Sequence, residues 1–493
     1  MDVAVIIFLS SGLFLGWSLG ANDAANVFGT AVGTRMVRFG TAAVICSIFL
    51  ILGSVIGGSG AAHTLGKLGA VNALGGSFMA AGAAALAVYL MTKAGLPVST
   101  TQAIVGAILG WNLFTETRTD AATLITILST WIICPLLAAG IAAALFKLTT
   151  QVIRTTKPHL LRQDAYTRLG LLLAGAFGAY SLGANNIANV MGVFVPSSPF
   201  TDFSIAGLGT FTSIQQLFLL GALAIAVGVI TYSKRVMLTV GGRLMPLSPV
   251  GAWVAVISHS VVLFLFASEG LESLLASAGL PTIPLVPVSS SQAVVGAVLG
   301  IGLLRGGRAI RWRVLGGIGL GWLATPIIAG VVCFVGLFFL QNVFDQEVYR
   351  PVSYEISEPV LERLEREGIA AHIIEGLEGE VFESAPRLSD RLETDFGLDS
   401  AARDVVLRFA ERKVLVVDPD LLDSLNTDWY GPGQIDALRR IVGQRYSHKW
   451  MLGEALAAET PEWHFRPAEL VNKIYNKELE KKLEALYRKF EIR

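Results

Sequence analysis

The sequence predicts an all-α polytopic membrane protein, with about ten spans in two inverted-topology repeats that include broken or re-entrant helices, and a soluble α-rich C-terminal domain. Three observations carry this reading. Of 493 residues, 53% are hydrophobic and 15% charged, with a mean hydropathy of +0.60; soluble domains carry nearer a quarter charged residues, so the apolar excess calls for lipid. Two different motifs each occur twice, in the same order. The charge balance also changes along the chain: about 18 Lys/Arg against about 10 Asp/Glu up to residue 350, then about 20 against about 28.

Apolar stretches that reach or nearly reach bilayer length lie at 3–25, 40–60, 77–92, 97–114 and 122–146. A second set lies at 169–190, 214–231, 250–267, 287–304 and 314–342. The first reads as a membrane helix and not a cleaved leader, because Asp2 stands where a basic segment would be. Several stretches are short or interrupted by Gly and Asn, as broken helices are. Gly53, Gly57, Gly58 and Gly60 sit inside apolar runs, where small residues let helices approach closely. Cys46, Cys134 and Cys333 lie in apolar segments without ligand spacing and read as packing residues.

Basic residues follow the odd-numbered spans. They are Arg35 and Arg38, then Lys93, then Lys147, Arg154, Lys157, Arg162 and Arg168 in the loop after the fifth span. Lys234, Arg235 and Arg243 follow the seventh, and Arg305, Arg308, Arg311 and Arg313 the ninth. All fall on the cytoplasmic side of a cell membrane if the N-terminus is outside, which with ten spans also puts the tail outside. The expected division is a first repeat at 1–146, a basic cytoplasmic linker at 147–168, a second repeat at 169–345 and an acidic soluble domain at 351–493. In that domain 359–367 and 466–493 are charged and helical in pattern, and 403–418 mixes helix and strand signals. Trp429, Trp450 and Trp463 point to a core, and Leu479, Leu483, Leu486 and Phe490 form one apolar stripe that reads as packing.

The repeats organise the first part. Gly20-Ala21-Asn22-Asp23-Ala24-Ala25-Asn26 recurs 163 residues on as Gly183-Ala184-Asn185-Asn186-Ile187-Ala188-Asn189. Pro97-Val98-Ser99-Thr100-Thr101-Gln102 recurs 190 residues on as Pro287-Val288-Ser289-Ser290-Ser291-Gln292, and Pro135 is matched by Pro326. Five spans per half is an odd number, so the halves insert with opposite orientation.

Polar residues within an apolar helix are costly unless partnered. Asn22, Asp23 and Asn26 would serve as caps at a helix end, but duplication between Gly and Ala flanks favours a site. Together with Asn185, Asn186 and Asn189 they offer carboxamides and one carboxylate to a cation, and backbone N–H groups freed at a helix break to an anion. Ser99, Thr100, Thr101 and Gln102, like Ser289, Ser290, Ser291 and Gln292, follow a proline at an expected helix start, where N–H groups are unsatisfied and the dipole is positive. An ordinary Pro-initiated, Ser-capped helix is the plainer alternative; hydroxyls beside such N–H groups suit a tetrahedral oxyanion. Neither motif contains Lys or Arg, so cations are expected to offset the anion charge.

The remaining ionisable groups read as structural. His63 and His259 lie near or within apolar segments, His159, His372, His448 and His464 in loops or the tail, and no two have metal-ligand spacing. Glu116, Asp120, Glu269 and Glu272 are expected in solvated external loops. No nucleotide-binding loop, nucleophile elbow or zinc signature occurs, which argues against an ATP-driven pump or a hydrolase. The expectation is no enzyme, no bound cofactor and no nucleic-acid partner.

At these motifs the chain resembles the inorganic phosphate transporter (PiT) family, which also includes some sulfate permeases. Its hallmark is a repeated Gly-Ala-Asn-Asp-x-Ala-Asn sequence paired with Pro-Val-Ser-Thr-Thr-His-like segments; residues 20–35 fit the first copy, and the resemblance covers about residues 1–345. It implies an inverted-repeat fold and uptake of inorganic phosphate by alternating access, with sodium or protons as the coupling ion. By position it gives Ser99, Thr100, Thr101, Gln102, Ser289, Ser290, Ser291 and Gln292 to the anion. Asn22, Asp23, Asn26, Asn185, Asn186 and Asn189 go to ion coupling, with a sodium site at Asp23, Asn26 and Asn189. Membrane lipid and a homo-oligomer are the expected surroundings. Asn186 stands where the family usually has Asp, Gln102 and Gln292 stand where His is common, and the acidic tail is an addition. Alternatives are a permease for sulfate or another tetrahedral oxyanion, an anion channel, or a receptor signalling through the tail.

Overall fold

In the computed structural model α1 (Val3–Gly33) runs for 31 residues, straight through the first Gly-Ala-Asn motif. The structure describes residues 3–69, 71–94, 98–205, 209–240, 244–423, 425 and 429–492; Asp2, Pro97 and Arg243, singled out above, lie outside them. The chain divides into two compact units. One holds residues 1–115, 119–272 and 283–349, the other 116–118, 273–282 and 350–493.

In the first unit α1 is followed by α2 (Phe39–Gly57), α3 (Ser59–Leu68), α4 (Leu74–Lys93), α5 (Thr100–Thr115), α6 (Ala121–Thr156) and α7 (Leu160–Met191). A small antiparallel pair, β1 (Phe203–Ile205) with β2 (Gly209–Phe211), precedes α8 (Ser213–Thr231), α9 (Ser233–Val240) and α10 (Pro249–Ala267). Then come α11 (Glu269–Ser277), whose residues from Ser273 on belong to the other unit, α12 (Ser290–Leu304) and α13 (Trp312–Asn342). Local chemistry sets several ends. The Asp120 side chain caps α6 at Thr123 N–H, Thr212 and Gln215 form a reciprocal capping box on α8, and Ser248 caps α10 ahead of Pro249. Lys157 adopts a left-handed conformation that ends α6, and Pro158 follows it.

Among the described residues, α1, α2, α4, α6, α8, α10 and α13 are seven helices long and apolar enough to cross a membrane. Of the ten stretches read from the sequence, three fall outside this group. The helices α5 and α12 have only 16 and 15 residues, and α7 is diluted by its charged first turns and by Asn185, Asn186 and Asn189.

Two expectations are corrected. Neither Gly-Ala-Asn motif lies at a helix break: α1 continues to Gly33 and α7 to Met191, because the interleaved Ala residues favour helix and the Asn side chains find partners elsewhere. The segment after the fifth stretch is not a loop, since α6 extends to Thr156 and α7 starts at Leu160.

Packing recurs at repeat-related positions. The helix α1 packs along α8 as α7 packs along α2, and α5 along α13 as α12 along α6. The contacts are backbone to backbone. A Cβ on Gly20 would sit 1.9 Å from Ile225 O, and one on its repeat mate Gly183 2.1 Å from Leu50 O. Likewise Gly106 abuts Pro326 O and Gly296 abuts Pro135 O, at 2.1 and 2.2 Å from the same hypothetical atom. No side chain fits there, so these positions require glycine.

The second unit begins with β3 (Tyr354–Glu355), α14 (Glu358–Arg366), β4 (Val381–Phe382), α15 (Ala385–Thr394) and α16 (Ser400–Ala410). It continues with β5 (Leu415–Val416), α17 (Pro419–Asp423), α18 (Pro432–Arg440), β6 (Arg445–Tyr446), α19 (Lys449–Glu459) and α20 (Lys473–Phe490). Strand β3 pairs with β4, and β5 with β6, both antiparallel. One apolar cluster gathers Ile356, Leu364, Leu388 and Val406; another gathers Leu415, Leu438, Leu456 and Trp463. The stripe of Leu479, Leu483, Leu486 and Phe490 is buried on α20, as packing requires.

Candidate functional site

The polar residues of both motifs are buried in the first unit; the most exposed of them, Asn22, is only 4% accessible. Helices α1 and α7 present the carboxamides, and the starts of α5 and α12 present the hydroxyls. Because both motif helices are continuous, their backbone groups are consumed internally. Donors for an anion therefore come from the side chains and from the first turns of α5 and α12. Those turns are capped as the sequence expects: Ser99 Oγ accepts from Gln102 N–H and Ser289 Oγ from Gln292 N–H, each at 3.2 Å.

The hydrogen bonds are repeated across the two halves. Asn22 Nδ2 donates to Asp23 Oδ1 (3.1 Å) and to Val98 O (3.3 Å). Asn185 Nδ2 correspondingly donates to Asn186 Oδ1 (2.6 Å) and to Val288 O (2.7 Å). Asn26 Nδ2 reaches Asp23 Oδ1 at 3.4 Å, as Asn189 Nδ2 reaches Asn186 Oδ1 at 3.3 Å. Each of these two asparagines also reaches a hydroxyl of the opposite half: Asn26 Nδ2 donates to Ser290 Oγ (3.0 Å) and Asn189 Nδ2 to Thr101 Oγ1 (2.8 Å). Thr101 Oγ1 in turn donates to Val288 O at 3.2 Å. The motifs meet directly where Asn186 Nδ2 donates to Asp23 Oδ2 at 3.4 Å.

Asp23 is thus held by three neutral carboxamides, from Asn22, Asn26 and Asn186. Among the described residues it has no Lys or Arg partner, although it is only 2% exposed. A buried carboxyl group surrounded only by neutral dipoles is uncompensated, and a cation or a proton would stabilise it. Several acceptor atoms of the two motifs are also uncommitted: Asn189 Oδ1, Gln102 Oε1 and Gln292 Oε1 are buried without a hydrogen-bond partner. Oxygen donors of this kind suit a hard cation. Of the residues read as a sodium site, Asp23 and Asn26 are in direct contact, and Asn189 joins them through Asn186. Thr100 Oγ1 is buried and unpartnered too, a hydroxyl free to serve an anion.

The structure adds a residue that the sequence reading set aside as structural. His259, fully buried on α10, places Nε2 2.9 Å from Ser290 Oγ. The signal was present in the run Ser258-His259-Ser260, three polar residues inside an apolar helix. Two carboxylates are relocated. Glu269 and Glu272 lie in the first turn of α11, where Glu272 is 5% exposed and Glu269 Oε1 accepts from Ser59 Oγ at 3.2 Å, so they are not in a solvated loop.

Several known proteins are similar to this chain. The "Putative phosphate permease" of Methanocaldococcus jannaschii is 28% identical over 336 residues, covering 68% of this chain and 97% of that protein. "Sulfate permease CysP" of Bacillus subtilis is 28% identical over 354 residues, covering 70% of this chain and 90% of that one. A solved structure titled "The sodium-dependent phosphate transporter" superimposes with a TM-score of 0.56 at 24% identity, over 69% of this chain and the whole of that one. This likeness establishes a shared fold. The sequence pattern of the phosphate transporter family matches residues 19–333, which include both copies of both motifs. The chain is therefore a multi-pass membrane protein that belongs to the phosphate transporter family.

Proposed function

We propose that this protein takes up inorganic phosphate across the cell membrane, coupled to sodium or protons, by alternating access. The observation that carries the reading is Asp23. It is a buried carboxyl group without a basic partner among the described residues, bonded through Asn26 to a Ser-rich helix start that suits an oxyanion. Neither charge is at home alone, so the bound cation and anion stabilise each other, as symport requires. In this reading Asp23, Asn26 and Asn189, supported by Asn22, Asn185 and Asn186, serve the coupling ion. Ser99, Thr100, Thr101 and Gln102, with Ser289, Ser290, Ser291 and Gln292, hold the anion.

The wider architecture follows the same reading. The paired hydrogen bonds and helix contacts support two repeats, at 1–146 and 169–345, in inverted orientation with the site between them. Residues 147–168 form a cytoplasmic connection, 351–493 a soluble domain, the N-terminus lies outside, and the protein works as a homo-oligomer.

Purified protein in liposomes tests the proposal with labelled phosphate, competing sulfate, and separate sodium and proton gradients. Gradient-dependent, saturable phosphate uptake is expected, lost in Asp23→Asn and in Ser99→Ala. Unchanged uptake in both variants would overturn it. A second reading, sulfate or another tetrahedral oxyanion, draws on the similarity to a sulfate permease and on Gln102 and Gln292; sulfate outcompeting phosphate would favour it.

A further inference from the structure

We infer that His259 is a positioning residue that turns the Ser290 hydroxyl into a dedicated donor for the bound oxyanion, so that the two halves of the anion site are unequal. The inference rests on the proposed anion site and adds a residue that neither motif contains. Ser290 Oγ has two close partners: Asn26 Nδ2 at 3.0 Å, which can only donate, and His259 Nε2 at 2.9 Å. A hydroxyl has one proton to give and two lone pairs. Two arrangements satisfy the distances.

In the first, Nε2 is bare and takes the Ser290 proton. The imidazole proton then sits on Nδ1, which is buried without any partner, and an orphaned buried N–H is among the rarest and costliest defects in proteins. In the second, Nε2 carries the proton and donates to Ser290. Both lone pairs of Oγ are then filled, by Asn26 and His259, and its own O–H must point away from both. The bare Nδ1 is an unpaired acceptor, the milder defect. The second arrangement is favoured, and it leaves the O–H of Ser290 free for an external acceptor.

The first half lacks this device. Thr100, the repeat mate of Ser290, has its hydroxyl buried and unpartnered, and α4 contains no histidine. Asn189, the mate of Asn26, bonds to Thr101 and not to Thr100. One hydroxyl is therefore fixed in direction and its counterpart is free to rotate. Fixing a donor before binding lowers the ordering cost of recognition.

The test is phosphate uptake by the full-length protein in liposomes, with KM and maximal rate measured separately. His259→Leu, which keeps bulk but no N–H, is expected to raise KM about tenfold, the loss of one oriented hydrogen bond. His259→Gln, whose Nε2 can occupy the place of the imidazole nitrogen, should restore most of it. Ser290→Ala should match His259→Leu, and the double variant should lose no more than either alone. A parental KM in His259→Leu, equal losses in Gln and Leu, or additive losses in the double variant would each overturn the inference while leaving uptake itself intact. A parent protein that neither transports nor is thermally stabilised by phosphate would sink both this and the proposed function.

Discussion

At the scale of the residue, the asymmetry of the paired motifs is the informative feature. Asn186 stands across from Asp23 and donates to its Oδ2, so one position of the repeat holds the carboxyl group and its mate holds the solvating amide. Replacing Asn186 by Asp converts that donor into a second carboxylate facing the first. Like charges in a shared buried site repel, and one of them loses a partner. The Asn186→Asp protein is expected to melt several degrees below the parent in sodium-free buffer, and to regain more of that loss than the parent gains as sodium is raised. Equal melting temperatures, or equal responses to sodium and to a large organic cation, would show that no cation sits between these residues. The polar members of both motifs were legible in the sequence because polar groups in apolar helices are expensive and these came in duplicate. His259 was marked only by the polar run Ser258–Ser260 within an apolar helix, and its role was not legible because its partner Ser290 lies 31 residues away.

At the scale of the element, helix packing in this unit depends on backbone contact at glycine. Gly106 on α5 lies against Pro326 of α13, and an added methyl would stand 2.1 Å from a carbonyl oxygen that cannot yield. Gly106→Ala should therefore destabilise the protein by about 1–3 kcal/mol, the usual penalty of forced overpacking. Gly140 on α6 is the control, since nothing lies within 4 Å of its hypothetical Cβ. Melting of the two purified variants separates the cases: a marked loss at 106 and little change at 140 are expected, and equal behaviour would refute the close approach. Which stretches were helices was readable from apolar length alone. Where they ended was less so, because Gly-Ala-Asn reads as a breaker locally while α1 and α7 are held through it by partners distant in sequence. The short helices α3, α9 and α11 left no periodic signal long enough to read.

At the scale of the whole molecule, the change in charge near residue 350 marks a change in how stability is obtained. The first unit keeps polar groups buried at a site and leaves many large apolar residues exposed, among them Ile132, Leu136, Leu320 and Ile327, which suits a lipid surface. The unit containing 350–493 buries its apolar residues in two closed clusters instead. Residues 351–493 made alone are therefore expected to be soluble and to melt cooperatively. His448 gives that domain a pH signature. It is buried, donates from Nδ1 to Glu411 O (2.9 Å), and stacks on Trp450. Burial lowers its pKa from the ordinary value, with the hydrogen bond to the Glu411 backbone opposing only in part. The unfolded chain then binds a proton at higher pH than the folded one, so this contribution to stability is complete above about pH 6.5 and declines as pH falls toward the lower folded pKa. Urea unfolding of the domain should show a midpoint that drops between about pH 7 and pH 5, above the range in which ordinary carboxylates titrate. His448→Phe keeps the ring and removes the titrating group, so its midpoint should stay flat over that window even though losing the Glu411 contact lowers it throughout. An equally steep pH dependence in the variant would place the acid sensitivity elsewhere in the domain.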